Sequence, residues 1–72
     1  MPKIRLVAAL LHSDDEIVGT WQMKSSEECK AISDEHLAIM NDPTAVMPVA
    51  TDAGLALIPV AHIEYLSFET ES

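Results

Sequence analysis

A single cysteine, Cys29, leaves this chain unable to close a disulfide within itself. The thiol reads as a buried or half-buried side chain in a reducing compartment rather than as a reactive group. Cations are scarce too: four Lys and Arg stand against twelve Asp and Glu, a formal net charge of −8. Four cations neutralise few phosphates, so a polyanionic partner meets net repulsion. The two glycines, Gly19 and Gly54, are too few and too far apart for a phosphate-cradling loop or a nucleophile elbow. No apolar run approaches the roughly 20 residues that span a bilayer as a helix. The amino end, "MPKIRLVAALLHSDDE", alternates like a strand and lacks a small-residue cleavage site before its acidic cluster. It reads as mature, cytoplasmic sequence.

What remains is apolar: 49% of the 72 residues are hydrophobic. A chain this short is one domain, residues 1–72, and hides only roughly 60% of its unfolded surface. Disulfides being excluded, and no metal-ligand spacing linking Cys29 to the three His, association between copies is the stabiliser left. The acidity then keeps an apolar subunit soluble. No cofactor and no metal is expected.

Along the chain, "KIRLVAALLHS" alternates as a strand, amphipathic in its first half and apolar on both faces in its second. "SDDE" turns it into "EIVGTWQMK", the second arm of a hairpin, with Gly19 marking a bend or a close backbone approach. "SSEE" at 25–28 fits a capping box of Ser25 with Glu28. Cys29, Ile32, Leu37 and Met40 approximate one helical stripe with His36 beside it. Ser33 offers an alternative cap for a shorter helix, and the expectation is helix from about 33 to 41, stopped before Pro43. "TAVMPVAT" is extended, and Pro48 places it at an edge or breaks it locally. "TDAG" is a tight turn that allows Gly54 a positive φ. "LALIPV" and "HIEYLSFE" complete five strands, with residues 69–72 as a frayed tail.

The last two strands are apolar on both faces. Ile63 and Tyr65 point one way while Leu66 and Phe68 point the other. A half-exposed strand alternates instead, so both faces ask for cover, one by the chain itself and the other by a second subunit.

In "LIPVAHIEYL", residues 57–66, Leu57 and Ile58 form an apolar pair, and Ile63, Tyr65 and Leu66 form an apolar–x–Tyr–apolar ending. This stretch resembles the second signature of the Sm/Lsm family. "EIVGTW", with Ile17, Gly19 and Trp21, is similar to the strand-2 part of the first signature. The resemblance covers about 25 residues and implies a mainly β fold, a small five-stranded, strongly bent barrel. One short helix is inserted between strands 2 and 3. It further implies a homo-oligomeric ring of about five to seven subunits, joined through the last two strands. Leu57, Ile58, Ile63, Tyr65, Leu66 and Phe68 are then the interface candidates, and Pro59, Val60 and His62 lie at the pore turn.

The departures bear on function. RNA-binding members place Arg-Gly where this chain has Pro59 and Val60, and their Asp and Asn have no counterpart after Met23. Nucleic-acid binding is therefore expected to be weak or absent, leaving a non-enzymatic assembly or scaffold role. The rival reading is an RNA-binding ring with a non-standard pore. His62 with Glu64 reads as a rim pair, not an acid–base or metal site. No Ser, His and Asp set is arranged as a triad, and no catalytic residue is assigned. Trp21, which has a face for a base to stack on, reads first as core or interface.

Overall fold

The computed structural model describes residues 2–71. The chain is mainly β, with antiparallel sheets and one helix. β1 (Lys3–Leu10) is the central strand of the larger sheet. On one side it pairs with β2 (Glu16–Val18) and β3 (Gln22–Met23). α1 (Ser26–Met40) follows, then the hairpin β4 (Val46–Thr51) and β5 (Gly54–Pro59). A 3-10 turn, Val60–His62, leads into β6 (Ile63–Glu71), which pairs with the other side of β1.

The second of the five expected strands is divided. Val7 faces Val18, whereas Lys3 faces Met23, so the pairing slips by one residue across Gly19–Trp21. This is a bulge, and it reverses which residues point inward. Ile17 packs against the core beside Ala8, but after the slip it is Gln22 that sits opposite the buried Ile4. At the slip the chain bonds to both sheets while staying in the larger one. Gly19 N donates to Leu6 O at 2.7 Å, and Thr20 N donates to Ala50 O at 2.9 Å. A Cβ at Gly19 would stand 3.3 Å from both Ala50 O and Leu6 O. The mid-strand glycine is thus a close backbone approach, as its position suggested.

The strands do not close into a barrel. β5 pairs only with β4, and β6 only with β1. Ala50 directs its carbonyl toward Thr20, so two residues earlier Pro48 directs toward the same side a nitrogen that carries no hydrogen. The ladder cannot extend there, and the hairpin stands as a separate two-stranded sheet.

The helix is longer than expected. It runs unbroken over 15 residues from the Ser25 cap, with both halves of the capping box in place. Ser33 caps nothing; its hydroxyl donates to Cys29 O within the helix at 3.0 Å. Leu37, read as part of the inner stripe, is 54% exposed, while Ile39 and Met40 pack on the core. None of the helix residues is fully buried. The tail expected to fray from residue 69 continues in β6 to Glu71 opposite Lys3; Ser72 lies outside the described residues.

The core lies between the two sheets: Leu6 and Ala8 from β1, Met47 and Val49 from β4, Ile58, Val60 and Ile63. Met47 and Val49 are the largest fully buried side chains. Turn chemistry fixes two further points. Gly54 takes φ +133 in the hairpin turn, and His12 takes φ 60 after β1.

Candidate functional site

The alternation of β4 and β5 places one side of the hairpin in the core and the other in solvent. Inward go Met47, Val49 and Ile58. Outward go Val46, Pro48 and Ala50 on β4, registered against Pro59, Leu57 and Leu55 on β5. All six outward residues are apolar and exposed. Leu55 and Leu57 are 67% and 64% accessible, well above an ordinary scattered surface leucine in consequence because they stand side by side with Val46 and Pro48. Solvent-facing sides of antiparallel sheets are ordinarily polar.

This face is also electrically quiet. Between Pro43 and Ala61 the sole charged residue is Asp52, in the turn. Apolar clefts flank the face. One, of about 230 Å³, lies under α1, bounded by Ile32, His36, Gln22, Pro48 and Leu55. His36 Nδ1 is 2.7 Å from Ile32 O, so that nitrogen carries the hydrogen and donates it. Its ring meets Phe68 edge-on at 5.6 Å. The other cleft, about 420 Å³, runs between Leu10, Leu11 and Ile17 on one wall and Leu57, Pro59 and His62 on the other.

Among the described residues the larger sheet ends in β6 on one side and β2–β3 on the other, and the hairpin has free edges on β4 and β5. β4 meets the β2–β3 side only through Thr20 N and Ala50 O, and alternation tells which groups β5 and β6 present. Because Leu6 directs its carbonyl to Gly19, its partner Phe68 forms no ladder bonds with β1 and turns its N–H and C=O outward. Leu66 and Thr70 do the same. In the hairpin, Ala50 is likewise turned away from β5, so Leu55, Leu57 and Pro59 face the free edge of β5. Both prolines of the hairpin therefore occupy positions that cost the β4–β5 ladder no hydrogen bond.

The interface candidates divide in this frame. Leu57 and Tyr65 are exposed, Leu66 and Phe68 are half-buried against the chain's own core, and Ile58 and Ile63 are buried in it. At the turn, Pro59 and His62 are exposed, while Val60 is buried. Val46, Pro48, Ala50 and Leu55 were not singled out from the sequence. Their signal was "TAVMPVAT" and "LALIPV", apolar at both strand parities.

The remaining chemistry-bearing residues are dispersed. Glu64 borders a shallow depression with His12 and Asp14, whereas His62 borders the cleft beside β5, so the two do not share a cavity. Among the described residues no three His, Cys, Asp or Glu side chains are grouped to hold a metal ion. Trp21 is neither core nor free: Arg5 lies over its ring at 4.5 Å, and Arg5 Nε donates to Glu69 Oε1 at 2.8 Å. Glu28 is held below the usual carboxylate range by hydrogen bonds from the Ser25 backbone and then its hydroxyl. Asp42 is lowered by the Thr44 hydroxyl and backbone N–H. No helix among the described residues is long and apolar enough to cross a membrane. Compared with protein-family models, curated proteins and solved structures, the chain matches none.

Proposed function

We propose that this chain is a non-enzymatic assembly or scaffold module, Sm-like in plan, whose copies join edge to edge into a homo-oligomeric ring. The observation that carries the reading is that β6 forms one outer edge of the larger sheet and β5 one outer edge of the hairpin, both without a ladder partner among the described residues. Unpaired edges are templates for another chain, and soluble proteins ordinarily blunt them with charge, bulges or a covering element. β5 carries no charge on any of its residues, Gly54–Pro59, and its free edge is blunted only at its end, by Pro59, which leaves Leu55 and Leu57 to pair. Two different edges on one subunit make a heterologous contact, and such contacts generate rings when the rotation closes. The small core supports the same reading, since a chain of this size gains stability from association.

The scaffold role is favoured over RNA binding by the turn and the aromatic. Pro59 and buried Val60 offer no cation where RNA-binding members of the family have Arg-Gly. One face of the Trp21 ring is already taken by Arg5, whose charge is engaged by Glu69. Replacing Thr70 by Pro tests the edge directly, because its N–H points away from β1 and the change leaves the β1 ladder whole. The expected result is a particle of lower mass by light scattering with unchanged far-UV circular dichroism. An unchanged particle mass contradicts the edge-paired ring.

A further inference from the structure

We propose that the outer face of the β4–β5 hairpin is a second interface, on which another copy of this chain docks face to face about a two-fold axis. The contact is separate from the edges. Strand addition extends an assembly along its hydrogen-bonding direction, whereas this face joins two such assemblies, or two single chains where the edges stay unpaired.

The occupant follows from charge. Of the sixteen charged residues, fifteen lie outside Pro43–Ala61, eleven acidic against four basic. Two copies meeting two-fold through α1, the Ser13–Glu16 turn or β6 against itself bring carboxylates together, whereas β6 against uncharged β5 does not. Like charges opposed in a contact are unfavourable. The hairpin face is where two copies meet two-fold without that repulsion. A cationic partner is drawn instead to the acidic surfaces, and a charged partner of either sign loses hydration here without finding a counter-charge.

Shape supports a self-complementary contact. Leu55 and Leu57 are the most exposed large apolar side chains. The clefts beside them share residues with the face: Pro48 and Leu55 with the cleft under α1, Leu57 and Pro59 with the cleft beside β1. A two-fold contact offers the projecting leucines of each copy to the clefts of the other, as an isologous interface requires.

The test uses Leu57→Asp and Leu57→Lys, each alone and mixed in equal amounts, by native mass spectrometry and sedimentation at micromolar concentration. Each variant alone is expected at half the wild-type particle mass, and the mixture at the full mass. Restoration on mixing requires position 57 to approach its own counterpart region in the partner, which an edge-paired ring does not provide. Val46→Asp, on β4 and away from the free edge of β5, is expected to halve the mass as well. Far-UV circular dichroism confirms that the variants fold, since both side chains lie on the solvent side. Unchanged mass in Leu57→Asp and Val46→Asp, or a mixture that stays at half mass, overturns the proposal. So does a wild type of single-chain mass; flotation of that protein with neutral phosphatidylcholine vesicles would assign the face to lipid instead. The edge reading fails separately, when Thr70→Pro leaves the mass unchanged while Leu57→Asp halves it.

Discussion

Gly19 is the residue on which the junction of the two sheets depends. A methyl group there meets two backbone carbonyls at 3.3 Å and Val49 Cγ1 at 3.4 Å, so backbone rather than a flexible side chain must yield. Gly19→Ala is expected to cost about 1–3 kcal/mol, the usual range for overpacking, read as a lower urea midpoint with an unchanged slope. His12 is the opposite case. A non-glycine residue at φ 60 carries left-handed strain. His12→Gly is therefore expected to leave the midpoint unchanged or to raise it, whereas glycine at an ordinary exposed position lowers it by about 0.5–1 kcal/mol. At the start of α1, Ser25→Ala removes half of the capping box and is expected to cost about 1 kcal/mol. Glu28 adds a pH dependence. Its carboxyl is lowered in the fold, so the stability it contributes is present above its unfolded value and is lost as pH falls through the folded one. Glu28→Gln keeps an acceptor without titrating, and its helix signal is expected to weaken less on acidification than that of the wild type. Coincident acid profiles would contradict the cap assignment.

Among the elements, the sequence marked the strands more clearly than their faces. β1, β4, β5 and β6 stand where alternation and turn residues put them, and Gly54 takes the positive φ that "TDAG" allowed. The second strand misled because a period of two cannot register a bulge. Ile17, Trp21 and Met23 share a parity, yet the slip at Gly19–Trp21 sends Ile17 inward and leaves Trp21 and Met23 exposed. Nothing in "VGTWQ" besides the glycine announces that slip. The helix misled differently. Ser33 and the acids after it make a plausible start, but the Ser25–Glu28 box satisfies backbone donors earlier and lets the helix form as one piece. The hairpin is the element that stability depends on most. Met47 is fully buried between the sheets, and Met47→Ala is expected to cost about 2–5 kcal/mol. In a domain whose total stability is of the order of 5 kcal/mol, that loss predicts a largely unfolded chain at 37 °C. Leu66→Asp and Phe68→Asp disturb the same core, so they report on folding before they report on assembly.

At the scale of the whole molecule, charge and apolar surface are segregated. The acids occupy the β1–β2 turn, α1 and β6, while the hairpin is almost neutral and its outer side wholly apolar. A mainly β fold with one helix was legible from alternation and turn spacing. The two separate sheets in place of one closed barrel were not, because the ladder stops at Pro48, and a proline in a strand signals an edge without saying which side is left open. Association was expected from the absent disulfide and the two-sided strands, and the free edges and the hairpin face give that expectation particular surfaces. Nucleic acid is expected to bind weakly, since a net charge of −8 per chain repels a polyanion. The measurement that bears most directly on the account is the mass of the wild-type particle by multi-angle light scattering at micromolar concentration and 150 mM salt. The account predicts a defined multiple of the 7.9 kDa chain; a single species of one-chain mass would contradict it.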